Sequence, residues 1–152
     1  MYDRFRVRTR EEKSLKTTNK KVRIGRIVYL ILAVIFALSV TTQFFLAGMA
    51  IFISPVNWVK HMTFVHLFGF NIPIFMLVAA FFGRLPRWAY WELLGILISV
   101  FLMYFTANFT GSSPWIGALH PVFGVLLFVL SYSTVIGIWK LTKKEKLQRG
   151  EA

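Results

Sequence analysis

Four long apolar runs divide the chain, at residues 27–53, 59–83, 88–109 and 115–139. Each exceeds the roughly 20 residues an α-helix needs to cross about 30 Å of hydrocarbon. Backbone polar groups inside a bilayer must be satisfied within the segment, so helices are expected in all four runs. The polar stretches between runs are too short for a second domain. The pattern predicts an all-α integral membrane four-helix bundle over residues 25–140, flanked by basic tails at 1–24 and 141–152. The first run is too long for a signal-peptide core and no small-residue cleavage pattern follows it, so it is expected to be a retained anchor.

Helix punctuation refines this picture. Ser54-Pro55 and Ser113-Pro114 each offer an N-cap serine with proline at the first helical position, opening the second and fourth helices. Pro121 would free the carbonyl of Gly117 and bend the fourth helix, and Pro73 could bend the second. Trp58, Trp88, Trp91, Trp115 and Trp139 fall near helix ends, where an aromatic belt is expected.

Composition supports a membrane protein: 57% of residues are hydrophobic, against about 45–50% in soluble domains. The net charge of +12 changes the picture through its placement. Of 18 Lys and Arg, ten lie in residues 1–26 and five in 140–149, leaving only Lys60, Arg84 and Arg87 between. Basic residues therefore flank the apolar body, which argues against nucleic acid and for contact with anionic lipid headgroups. The two tails and the 83–87 turn are positive, and four spans put all three on one side. The positive-inside rule then predicts both termini in the cytoplasm. Glu92, near that inner end, is expected to pair with Arg84 or Arg87. The chain has no cysteine, which excludes disulfides, thiolate metal sites and a cysteine nucleophile.

Buried polar side chains carry the remaining information in a membrane bundle. The three histidines, His61, His66 and His120, all fall in the outer parts of the second and fourth helices. Measured from the inner ends Arg84 and Lys140, His66 and His120 sit at nearly equal depth, about 27 and 30 Å at the helical rise. Measured from the outer prolines, His61 and His120 match instead, each six residues after its proline. The inner measure is preferred, because extra turns can protrude outside the membrane. Two imidazoles at one depth on two inward-facing helices suit a single bis-histidine haem b, with His66 and His120 as ligands and His61 as the alternative. His61 lies about 140° around the helix from His66, so Lys60 and His61 would meet haem propionates or lipid phosphates at the rim. Gly69 and Gly124, near the histidine faces, could clear space for a flat ring, or serve as ordinary packing glycines. Gln43, mid-span in the first helix, is expected to hydrogen-bond between helices and could touch a ligand. A three-histidine zinc or copper site is disfavoured by the spacing of His61 and His66. Histidines that merely bond across helices are the plain alternative.

The segments 43–48, 58–61, 66–69 and 118–121 resemble a family of small bacterial four-helix membrane proteins classed as a domain of unknown function. That resemblance implies a fold and a bacterial plasma-membrane location, but no activity. A looser similarity runs to membrane b-type cytochromes, including the cytochrome b561 type and superoxide oxidase. It implies haem held between helices and redox exchange with a quinone, superoxide or a partner protein. Diheme members need two ligands near each face; three histidines toward one face allow one haem at most. The alternative function is a non-enzymatic subunit or haem-handling protein, and a second copy of the chain is a further candidate partner.

Overall fold

In the computed structural model, the backbone is described for residues 2–148 and the side chains for 20–148. Residue 1, residues 149–152 and the side chains of the first nineteen residues, which belong to the predicted tails, lie outside the described set. Six helices follow in order: α1 (Tyr2–Phe52), α2 (Asn57–Phe68), α3 (Asn71–Phe82), α4 (Arg87–Asn108), α5 (Pro114–Gly117) and α6 (His120–Gln148). They compose four stretches long and apolar enough to cross a membrane: Lys20–Phe52, Asn57–Phe82, Arg87–Asn108 and Pro114–Gln148. The protein is an all-helical, four-span membrane bundle. The basic segments read as tails continue the terminal helices, since α1 is unbroken from Tyr2 and α6 reaches Gln148.

Apolar side chains lie both inside the bundle and on its surface. Phe45, Phe81, Trp91 and Trp115 are exposed on the bundle surface, where lipid tails would cover them. Tyr29, Phe36, Met76, Leu93, Ile96 and Ile138 fill the interior. α1 lies against α3 and α6, and α4 lies against α6 and α3. The second and fourth spans therefore occupy opposite corners of the bundle.

In two spans a proline interrupts the helical hydrogen-bond ladder, and in the second Gly69 (φ −49°, ψ −58°) and Phe70 (φ −95°, ψ −30°) keep a helical backbone across the interruption. The second breaks at Gly69-Phe70, between α2 and α3. Pro73 lacks an N–H and its ring would clash with the carbonyl of Gly69 in a continuous helix; in the first turn of α3 it costs nothing. The Asn71 amide supplies replacement donors, 2.9 Å from the Leu67 carbonyl and 3.4 Å from that of His66. The fourth span breaks at Ala118-Leu119, and His120-Pro121 opens α6. Proline is again accommodated by starting a helix. Of the two Ser-Pro signals, Ser113 does precede a helix, α5, although its hydroxyl makes no capping bond. Ser54 forms a turn instead, its carbonyl accepting from the Asn57 amide at 3.0 Å, and α2 begins three residues later.

At the Arg84 end of the bundle, the backbone of α1 touches the turn after α3 directly. A Cβ added at Gly25 would stand 2.4 Å from the Gly83 nitrogen. Arg26 holds the same turn, its Nε donating to the Gly83 carbonyl at 2.8 Å and its Nη2 to the Arg84 carbonyl at 3.2 Å. Arg84 itself adopts a left-handed backbone, φ 43°. Arg26 also pairs with Glu145 of α6.

A paired-histidine candidate site at the far end of the bundle

The far end of the bundle gathers polar side chains of all four spans. His61 projects from α2 and His120 from the first position of α6. Their rings meet across the diagonal, with centres 6.5 Å apart and planes inclined by 58°. Both are half-buried. The Trp58 ring stands edge-on to His61 at 5.4 Å.

Hydrogen bonds fix the tautomer of each ring. His61 Nδ1 lies 3.3 Å from the Gln43 carbonyl, which can only accept, so Nδ1 carries the proton. His120 Nδ1 likewise donates to the Met103 carbonyl at 3.0 Å. The Thr106 hydroxyl, 3.3 Å away, gives its own proton to the Leu102 carbonyl at 2.7 Å and can accept from the same Nδ1. With the proton on Nδ1, the neutral form of each imidazole keeps Nε2 as a lone pair. Anchoring Nδ1 to a carbonyl is how proteins orient histidines that ligate metals.

Gln43 completes the anchor. Its amide donates to the His61 carbonyl at 3.0 Å, reciprocating the bond its own carbonyl receives. Its Oε1 is buried and without a partner among the described residues. Gly124 lies one turn beyond His120, and a Cβ there would meet Phe44 at 3.5 Å and Met103 at 3.6 Å. Those two side chains are what a flat ring beside His120 would displace. Methionine adapts easily to such a change, and Phe44 is already partly exposed.

His66 stands elsewhere. It is exposed, with Nδ1 3.2 Å from the Tyr104 hydroxyl and the two rings 5.5 Å apart. Gly69 lies beneath the same tyrosine, 3.2 Å separating its would-be Cβ from the hydroxyl. Lys60 is exposed beside His61. Among the described residues no three His, Cys, Asp or Glu side chains converge as a metal site. The histidine facing His120 is therefore His61, and the one expected from depth, His66, faces Tyr104.

Glu92 departs from its expected pairing with Arg84 or Arg87. Its carboxylate accepts from Ser133 at 2.8 Å and from Thr134 at 3.0 Å, both on α6. The helical phase of α4 turns Glu92 toward α6, into the bundle rather than toward the turn.

Sequence reasoning missed Met103, Thr106 and Tyr104 as the support of the histidines. A mid-span threonine three residues from a methionine was the available signal, but only the register of α4 against α6 gives it meaning.

Fold and site together define a four-span membrane protein with a polar, histidine-bearing far end. Residues 43–111 match the model of a family of unknown function, DUF6220. The matched stretch contains Gln43, His61, His66, Tyr104 and Thr106 and ends before His120. This match and the four-helix architecture fit an uncharacterised four-helix family. No curated protein and no solved structure matches the chain.

Proposed function

We propose that the protein is a membrane haem b protein holding one bis-histidine haem between His61 and His120. The observation that carries this is the spacing of the two rings. An imidazole nitrogen sits about 2 Å from a bound metal and its ring centre about 1 Å further, so opposed imidazoles on one iron have centres about 6 Å apart. The 6.5 Å separation agrees. Both Nδ1 atoms are held by carbonyls, which leaves both Nε2 lone pairs to bind iron. When bound, a b-type haem supplies one-electron chemistry; this chain contributes the two ligands, their fixed tautomers and an apolar surround.

On this reading His66 is not an iron ligand and Gly69 lies with it beneath Tyr104, while Gly124, Gln43 and Lys60 shape the surroundings of the pair. One haem at one end cannot carry electrons across the bilayer. The haem would exchange them at that end with a lipid-soluble quinone, superoxide or a partner protein. On this reading, which the charge distribution supports, both termini are cytoplasmic and the histidine pair lies near the outer leaflet of a bacterial plasma membrane.

A second reading has a specific observation behind it. The same two hydrogen bonds tie α2 to α1 and α6 to α4. Histidines serving as such ties, without cofactor, would make the protein a non-enzymatic membrane subunit.

The test is the absorption spectrum of the purified, detergent-solubilised protein, untreated and after addition of haem. A Soret band with sharp reduced α and β bands is expected, lost in His61→Ala and His120→Ala and retained in His66→Ala. A preparation that stays colourless and takes up no haem refutes the proposal and leaves the second reading. Loss in His66→Ala with retention in His61→Ala refutes the ligand pair alone.

A further inference from the structure

At the opposite end from the histidines, α1 and α6 enclose a groove of about 410 Å³. Arg23 and Arg26 of α1 and Lys143 and Lys146 of α6 line it, with Glu145 as the one acid among the described residues. Four cations against one carboxylate leave a net charge of +3 (4 − 1) in a single groove. Arg26 and Glu145 already satisfy each other, and Arg26 also holds the 83–84 carbonyls. The attraction toward an anion comes from Lys143 and Lys146. Lys143 and Lys146 are exposed and lie one turn apart on the same helix face, where like charges repel unless an anion sits between them.

The other wall is apolar. Ile27 and Trp139 line the groove where the first and last spans emerge, and Trp139 is largely exposed. A tryptophan at this height lies with its ring at the level of lipid headgroups. A free phosphate would use the cations and leave this wall bare. A phospholipid uses both, its phosphate among the lysines and its upper acyl chain along Ile27 and Trp139.

We propose that this groove is a specific binding site for the phosphate-bearing headgroup of an anionic phospholipid. It would clamp the first helix to the last through a lipid, beside the Arg26–Glu145 pair. The proposal stands independently of any cofactor.

The test is native mass spectrometry of the full chain released from detergent, titrated with phosphatidylglycerol, with phosphatidylcholine and with inorganic phosphate. Phosphatidylglycerol should bind in preference to phosphatidylcholine, and inorganic phosphate should bind far more weakly than either. Lys143→Gln/Lys146→Gln should weaken phosphatidylglycerol about thirtyfold, about fivefold for each lysine. Lys140→Gln/Lys144→Gln removes the same charge from the remainder of α6, Lys144 standing 100° around the helix from Lys143, and should change binding little. Equal losses in the two double variants would mean diffuse attraction and overturn the site. Equal retention of the two lipids, or inorganic phosphate binding as well as phosphatidylglycerol, would overturn the lipid assignment. Should the first double variant fail to fold, the single Lys143→Gln and Lys146→Gln variants carry the same test at about fivefold each.

Discussion

Substituting Gly25 by alanine should destabilise the bundle far more than the same change at Gly48, although both lie in α1. A methyl group at position 25 would stand 2.4 Å from the Gly83 nitrogen and 2.7 Å from its Cα. Ordinary van der Waals contact begins near 3.4 Å, so α1 and the turn after α3 must part by about 1 Å. Both obstructing atoms are backbone, so no rotamer change relieves the clash. Overpacking of this kind costs about 1–3 kcal/mol. A displacement of that size also stretches the 2.8 Å bond from Arg26 to the Gly83 carbonyl, and bonds from charged donors contribute about 1.5–3 kcal/mol. The two terms give about 2.5–6 kcal/mol. At Gly48 nothing lies within 4 Å of the added carbon. The gain in helix propensity, up to about 1 kcal/mol, applies to both positions and cancels in the comparison. Thermal unfolding of the two detergent-solubilised variants, followed by helical circular dichroism, measures the gap. Midpoints for Gly25→Ala and Gly48→Ala within a degree or two of each other would refute the backbone contact between α1 and the 83–84 turn.

Three further predictions follow from separate parts of the molecule. Thr106→Val removes the hydroxyl beside His120 Nδ1 but leaves the Met103 carbonyl; haem titration should show affinity reduced by about tenfold or more, and an unchanged affinity would remove Thr106 from the site. Glu92→Leu leaves the buried Thr134 hydroxyl without its α6-to-α4 partner and should lower stability by about 1 kcal/mol or more, with Glu92→Gln costing less; chemical denaturation monitored by tryptophan fluorescence decides between them. Reporter fusions after Asn57 and Ser112 should report outside and a fusion after Leu85 inside, and the reversed pattern would put the paired histidines in the inner leaflet.

The four spans are legible in the sequence because a bilayer imposes one requirement on every residue of a run. A polar backbone that cannot reach water must form a helix, and 20 apolar residues in succession have no other reading. What the sequence leaves open is where each helix pauses. Pro73 and Pro121 both read as bends, since proline inside a helix usually kinks it. Each stands in the first turn after an interruption of the hydrogen-bond ladder, and at the second span Asn71 bridges that interruption. Its side chain donates to the Leu67 and His66 carbonyls that a broken helix leaves without partners. Glu92 illustrates a different gap. Two arginines at the helix end are its nearest cations in sequence, yet the phase of α4 points it to Ser133 and Thr134, more than forty residues later. Sequence proximity cannot reveal a partner supplied by a neighbouring span.

The histidine register shows most clearly what depth alone omits. Counting from Arg84 to His66 treats 18 residues as one helix, but the break at Gly69-Phe70 lies between them. Phe70, at φ −95°, departs from ideal helical geometry there, so the 1.5 Å rise and the 100° turn per residue carry forward only approximately. The count from the outer prolines crosses less irregular chain on the second span and matches His61 with His120. Height is also only half of a position. A ligand must face the axis as well as stand at the right level, and on α2 the inward direction at this level is marked by Gln43. Its buried amide grips the His61 carbonyl, while its own carbonyl receives the His61 ring. An amide buried mid-span in the first helix has to bond to something, and the second helix can meet that need only with the face it turns toward α1. His61 is on that face. His66, about 140° further round, is turned to Tyr104 and the outside of the bundle.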